Sequence, residues 1–132
     1  MRTSRDILTT YLHFRDGGSA DALAVTDAFW ADVSAGRLPQ LDQGRLMSAF
    51  TFSEPWATWE RHPAGEELVL LLSGSCELVL DLPEGEQVTP LQTTGAYVLV
   101  PRSVWHTART STSTTLLFLT PGAGTEHRPI HR

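Results

Sequence analysis

The chain has 132 residues, 15 of them acidic and 10 basic, which gives a formal net charge of −5 and the length of a single domain. Its 41% hydrophobic and 19% charged residues exclude a globally disordered chain. Its net acidity argues against binding to nucleic acid, which needs an excess of basic residues. Because Cys76 is the only cysteine and all 10 basic residues are Arg, the composition also excludes intrachain disulfides, cysteine-cluster zinc sites and a catalytic lysine.

Residues 1–44 are predicted to form a helical extension that packs on the rest of the chain, within one domain. Over residues 20–33, apolar side chains recur at the i, i+3, i+4 spacing of a helix with one buried face. The residues that share this face are Ala22, Val25, Phe29 and Val33. Gly36 is the predicted stop of this helix, and a second short helix is predicted over residues 7–14.

Residues 45–132 change to short runs of β-type alternation with turn residues between them. The predicted strands cover residues 46–52, 56–62, 67–72, 76–81, 87–91, 96–101, 105–109 and 114–120. Short strands at this regular spacing predict an all-β sandwich or barrel. The run 68–72 is apolar on both faces, so we expect a helix or a second subunit to cover its outer face. A homodimer is therefore expected.

Four side chains in this region suit a metal site. Alternate residues of a strand share a face, so Glu60 and His62 point the same way. A turn after His62 brings Glu67 beside it, and His106 can deliver a second imidazole to the same interior. Buried carboxylates are costly unless they are paired or bound to a cation. Two His with one or two carboxylates suit a divalent transition metal: Fe, Mn, Ni, Co or Zn.

The spacing of these residues resembles the two motifs of the cupin superfamily. The first motif ends with a His, four residues, a Glu, six residues and a Gly, and the second contains a Gly, five residues, a Pro and then a His. The matching residues are His62, Glu67 and Gly74 in the first motif and Gly95, Pro101 and His106 in the second. The resemblance covers residues 56–121, about half of the chain, and is nearest to small single-domain bacterial cupins. It implies a double-stranded β-helix, the jelly-roll barrel of the cupins, with a metal inside one mouth.

Three positions depart from the cupin pattern. Glu60 replaces the first His of the His-x-His pair, Ser103 replaces a motif glycine, and Thr110 replaces the terminal Asn. The leading glycine of the first motif is absent as well. Because Glu is a competent hard ligand, the resemblance implies a metal held by Glu60, His62, Glu67 and His106. Glu60 is alternatively a catalytic general base, and the whole cluster is alternatively a polar group satisfied by internal hydrogen bonds.

Residues around this cluster are predicted to bind a substrate. Trp56 and Thr58 share the interior face with Glu60, and the predicted pocket consists of Trp56, Thr58, Val98 and Ala108. His127 and His131 lie in the C-terminal tail, which we interpret as polar surface. A tail that folds over the barrel mouth is the alternative interpretation, since its glycines allow tight bends.

What cupins do implies a metal-dependent enzyme of oxygenase (dioxygenase), isomerase or cyclase type that acts on a small organic molecule. A non-catalytic ligand-binding or sensing protein and a vestigial site are the alternatives. The chain has no apolar run near the ~20 residues of a membrane helix, and its first residues lack the apolar stretch of a signal peptide. We therefore expect a cytoplasmic protein whose partners are a small molecule and a second copy of itself, with no membrane and no nucleic acid.

Overall fold

The computed structural model describes residues 3–131, and β-strands dominate it. In this range there is one α-helix, α1 (Phe29–Ser34), and one 3₁₀ turn (Pro39–Asp42). The strands are β1 (Thr10–Phe14), β2 (Ala20–Ala24), β3 (Arg45–Phe52), β4 (Thr58–Arg61), β5 (Glu67–Ser73), β6 (Cys76–Leu82), β7 (Gly85–Leu91), β8 (Tyr97–Val100), β9 (Trp105–Arg109), β10 (Thr114–Pro121) and β11 (Glu126–Pro129). All eight strands predicted between residues 46 and 120 are present, as β3 to β10.

The strands form two antiparallel sheets. One sheet has six strands in the order β2-β1-β3-β10-β5-β8, and the other has five in the order β11-β4-β9-β6-β7. The alternation of side chains decides which face each sheet buries. On β5, for example, Val69 and Leu71 are fully buried while Leu68 and Leu70 are only half-buried. The predicted all-β class and its double-stranded β-helix architecture are confirmed.

A hydrophobic core fills the middle of the barrel between the two sheets. Its buried residues are Val69, Leu71, Cys76, Leu78, Leu80, Leu91, Val100, Ala108, Leu116 and Phe118. The aromatic rings at one end of this core stack on one another, with the Phe50 and Phe118 centroids 4.9 Å apart. Apolar side chains therefore fill this part of the barrel.

The N-terminal segment is mostly strand, and the helix predictions over residues 7–14 and 20–33 were largely wrong. Residues 10–14 form β1 and residues 20–24 form β2, which pair with each other, and β1 pairs with β3. Only Phe29–Ser34 is helical, and Gly36 follows its end with φ of 72°, as the predicted stop requires.

Tertiary packing explains this outcome. Leu23 of β2 turns inward to a second small core formed by Tyr11, Phe29 and Leu46, whereas Ala22, which the helix pattern would bury, is exposed.

The division of the chain at residue 44, within one domain, stays a prediction. In the structure, β1 and β2 lie in the same sheet as β3.

The outer face of the six-stranded sheet carries exposed apolar side chains. Tyr97 and Leu99 of β8 are 61% and 54% exposed, and Leu68 and Leu70 lie beside them on β5. A single chain is described, so the homodimer stays a prediction. Within residues 3–131, no helix is long and apolar enough to span a membrane.

Candidate metal centre

Four predicted site residues converge at one end of the barrel. Glu60 on β4 and His106 on β9 are direct partners in the antiparallel ladder, so their side chains stand side by side on the inner face of one sheet. His62 follows the end of β4 and shares that face. Glu67 opens β5 in the opposite sheet and points across the barrel toward the other three.

The potential ligand atoms of these residues lie close together. One atom from each of Glu60, His62, Glu67 and His106 lies within 4.8 Å of all the others, and this is the only such group of His, Cys, Asp or Glu found in residues 3–131. The Glu67 carboxylate bridges the imidazoles, with Oε2 3.0 Å from Nε2 of His62 and Oε1 3.0 Å from Nε2 of His106. Oε1 of Glu60 lies 3.3 Å and 3.5 Å from the same two nitrogens.

The centre is buried except on the side of Glu60. The side chains of His106, Glu67 and His62 are only 0%, 2% and 4% exposed, whereas that of Glu60 is 21% exposed. An ion or a small molecule would therefore approach from the Glu60 side.

Hydrogen bonds orient both imidazoles so that Nε2 faces the centre. Nδ1 of His106 lies 3.1 Å from the carbonyl oxygen of Val104, which can only accept, so Nδ1 carries a proton. Nδ1 of His62 contacts the Thr125 hydroxyl at 2.9 Å. A neutral imidazole protonated at Nδ1 presents an unprotonated Nε2, which is the form that binds a metal.

One buried atom tests whether a metal fits this donor set. Nε2 of His62 is buried and makes no hydrogen bond, although the two carboxylates lie within 3.3 Å of it. Buried polar atoms are nearly always satisfied. Two imidazoles and two carboxylates are also a ligand set suited to a divalent transition metal, so the residues present fit such an ion.

The Glu67 and Glu60 carboxylates are each held by a further residue. The Thr120 hydroxyl donates a 2.6 Å hydrogen bond to Oε2 of Glu67. Nε2 of His127 lies 3.2 Å from Oε2 of Glu60, the oxygen that faces away from the centre. Each carboxylate therefore has one partner outside the cluster.

The four groups perturb one another's protonation. Burial disfavours the charged form of each group, but the mutual contacts outweigh it. The contacts with Glu60 and Glu67 raise the pKa of His62 to about 9 and that of His106 to about 10. Contacts with the imidazoles lower the pKa of both carboxyl groups. The contact with Glu60 also raises the pKa of His127, against a smaller effect of burial. These shifts favour protonated imidazoles facing ionised carboxylates when no metal is bound.

The predicted pocket residues lie mostly in the hydrophobic core. Ala108 is fully buried in it, and Trp56 and Val98 pack against it. Thr58 is half-buried, and its backbone carbonyl accepts a hydrogen bond from Thr107. The structure therefore gathers the four predicted metal ligands, whereas three of the predicted pocket residues, Trp56, Val98 and Ala108, lie in or against the core. Their role in substrate binding stays a prediction.

The departures from the cupin motifs have distinct surroundings. Ser103, in place of the motif glycine, has φ of 63°, and its N–H donates to the His62 carbonyl at 3.1 Å. Thr110, in place of the terminal Asn, donates to the Ser75 carbonyl at 2.7 Å. Gly74 is conformationally required, since it has φ of 80° and a Cβ there would lie 2.2 Å from the Ser113 oxygen.

Thr120 and Thr125 were not predicted from the sequence, and His127 was placed near the site only in the alternative of a tail that folds over the barrel mouth. The sequence does contain an indication of Thr120, because this residue follows Leu116 and Phe118 on the inward face of β10, where a polar side chain needs a partner. No sequence pattern indicates Thr125, since it lies in a glycine-containing turn. The interpretation of the tail as polar surface is incomplete for His127, because this side chain is 56% exposed and also contacts Glu60. His131 is exposed.

Solved structures match the chain, although no protein-family model and no curated protein matches it. A cupin-2 domain protein from Shewanella frigidimarina is 16% identical, with a TM-score of 0.50 over 58% of this chain and 70% of that one. A protein with a double-stranded β-helix domain from Klebsiella pneumoniae is 19% identical, with a TM-score of 0.54 over 65% and 76%. A point mutant of oxalate decarboxylase from Bacillus subtilis is 15% identical, with a TM-score of 0.55 over 72% of this chain but only 26% of its own.

At these identities the structural likeness shows the fold. The chain has the cupin fold, and the resemblance inferred from its motifs is confirmed at that level. The His and Glu cluster lies inside this barrel and could hold a metal ion.

Proposed function

We propose that the chain binds one divalent transition-metal ion through Glu60, His62, Glu67 and His106 and is a metal-dependent enzyme acting on a small organic molecule. The convergence of these four ligand atoms within 4.8 Å is the observation that carries the proposal. The reaction belongs to the oxygenase, isomerase or cyclase type, and the metal is Fe, Mn, Ni, Co or Zn.

The proposed site favours a small anionic or carbonyl substrate. A divalent ion bound there would act as a Lewis acid toward such a group. Glu67 and the two imidazoles are buried, so the substrate reaches the site beside Glu60. One neighbour in fold is an oxalate decarboxylase, whose name identifies a small organic acid as its substrate, and we extend this size class to the present chain.

Glu60 has two roles in this proposal. Its Oε1 faces the imidazoles and would complete the ligand set. It is also the only carboxylate of the cluster with substantial exposure, so it can exchange a proton with a bound substrate. A carboxylate beside a metal serves as ligand or base according to its contacts. Glu60 has contacts to the imidazoles through Oε1 and to His127 through Oε2.

The proposal is tested by metal content. Protein expressed in medium supplemented with Fe, Mn, Ni, Co and Zn should carry about one ion per chain by mass spectrometry of the metals. His106→Ala should lose that ion, whereas His131→Ala, which alters an exposed histidine outside the cluster, should keep it. Wild-type protein without bound metal under these conditions would overturn the proposal.

A non-catalytic ligand-binding cupin is the second candidate, because an ion with open positions can hold a small ligand without a reaction. The aromatic residues Phe50, Trp56 and Phe118 that pack together in the barrel supply no acid or base, which favours this candidate. Tight binding of a small organic acid without turnover by the metal-loaded protein would support this candidate. Turnover that disappears in His106→Ala, with the fold retained, would exclude it.

A further inference from the structure

The segment that contains β11 contacts two of the four proposed metal ligands. Thr125, just before β11, meets Nδ1 of His62 at 2.9 Å. His127, on β11, meets Oε2 of Glu60 at 3.2 Å. These contacts reach the sides of His62 and Glu60 that face away from the centre, so they do not compete for the atoms that would bind an ion.

The backbone fixes this segment in place. β11 pairs with β4 in an antiparallel register that sets His127 directly opposite Glu60, and the Ile130 N–H donates to the Ala57 carbonyl at 3.0 Å. Gly124 has φ of 86°, and a Cβ there would lie 3.0 Å from Pro63, the residue after His62. A glycine at this turn lets the chain cross closely over the end of β4.

The opposite face of the segment has a separate anchor. Glu126 forms an ion pair with Arg61 at 3.1 Å, and Arg128 lies over the ring of Trp105 at 4.6 Å. These contacts are on the outer surface of the sheet, so they stabilise the docking of β11 without touching the proposed ligands.

We infer that residues 125–129 form a clasp on the metal centre, in which Thr125 and His127 are positioning residues for His62 and Glu60. This inference rests on the proposed function. The Thr125 hydroxyl can accept from Nδ1–H of His62, and the ring then has the tautomer whose Nε2 is free to bind metal. A donor on Oε2 of Glu60 turns Oε1 toward the centre. Because coupling between two events is reciprocal, metal binding must in turn stabilise the docking of β11.

The coupling is tested by Zn²⁺ affinity, measured by competition with a chromophoric chelator. Thr125→Val and His127→Leu, which remove these polar contacts, should each weaken Zn²⁺ binding about tenfold, which is the lower end of the range for partners of metal ligands. Glu86→Gln is the control, because it removes a comparable exposed ion pair, that with Arg109, outside residues 125–129 and should change the affinity less than twofold.

Hydrogen exchange of the wild-type protein gives a second readout that needs no variant. Zn²⁺ should slow the exchange of the backbone amides of residues 126, 128 and 130, which face β4 in the antiparallel ladder. Unchanged exchange on Zn²⁺ binding, or Thr125→Val and His127→Leu affinities within twofold of wild type, would overturn the clasp. Failure of the wild-type protein to bind Zn²⁺ or any of the other four metals would instead overturn the proposed function.

Discussion

Glu60 lies directly opposite His106 across the β4–β9 ladder, with Oε1 of the carboxylate 3.5 Å from Nε2 of the imidazole. Cross-strand neighbours on one face stand only about 5 Å apart at their Cβ atoms, so this pairing alone makes the two side chains interact. The register of one strand pair thus places a carboxylate where the cupin motif has a histidine. The replacement changes the charge of the centre while keeping a side chain that can bind a metal at that corner.

Glu60→Gln removes one negative charge and keeps the shape of the side chain. The pKa values of His62 and His106, which are raised to about 9 and about 10, should each fall by about one unit or more, since an adjacent opposite charge shifts a pKa by that order. Proton NMR titration of the ring resonances in chelator-treated protein measures this. Glu66→Gln, on the exposed turn beside Glu67, is the control and should leave both values unchanged. Equal imidazole pKa values in wild type and Glu60→Gln would show that Glu67 alone raises the pKa of His62 and His106.

The stability of the metal-free protein should depend on pH in a defined window. The raised pKa values of His62 and His106 contribute stability that is complete below their ordinary value of 6.5 and is lost as the pH rises through about 9 to 10. The lowered pKa values of Glu60 and Glu67 contribute stability that is present above their ordinary value of 4.5 and is lost as the pH falls. The melting temperature should therefore be highest between about pH 4.5 and 6.5 and should decline toward pH 10. Circular dichroism melts in chelator test this, and a flat profile from pH 6.5 to 10 would contradict it.

Metal binding at neutral pH should release protons, because each imidazole must lose one to bind through Nε2. With pKa values of about 9 and about 10, His62 and His106 are both protonated at pH 7 before the metal binds. About two protons should leave per ion, and the apparent affinity should fall by up to roughly 100-fold for each pH unit below about 9. Calorimetry in two buffers of different ionisation enthalpy counts these protons. Release of none at pH 7 would mean that the ion binds elsewhere.

The strands of the barrel and three residues of the cluster were predictable from local spacing, whereas His106 was placed beside them by the second motif of the cupin pattern. Strand alternation alone sets Glu60 and His62 on one face. A turn of four residues between His62 and Glu67 brings the second carboxylate to the same place. Buried positions such as Val69 and Leu71 repeat at the period of two that identifies a strand with one inward face.

The strands at the two termini were not predictable for physical reasons. In residues 20–25, Leu23 and Val25 are also two residues apart on one face of a strand, so this stretch fits a strand pattern as well as the helix pattern. Packing of Leu23 against Tyr11 decides in favour of the strand. β11 has no apolar run, since its docking depends on backbone pairing with β4 and on Arg128 over Trp105. Such contacts between distant segments leave no periodic signal.

Ser103→Gly should stabilise the protein. Ser103 is the only non-glycine residue in the described part of the chain with positive φ, at 63°, and the left-handed region costs a residue with a Cβ about 1 kcal/mol. Glycine removes this cost, but it also adds freedom to the unfolded chain, so the net gain should be about 0.5 kcal/mol. Urea unfolding of chelator-treated protein measures the difference.

Ser111→Gly is the matched control on an exposed loop, where φ is not positive, and it should lower the stability slightly. Because the N–H of residue 103 donates to the His62 carbonyl, which glycine preserves, the Zn²⁺ affinity should stay within twofold of wild type. A Ser103→Gly protein less stable than wild type would show that the serine hydroxyl contributes more than the strain costs.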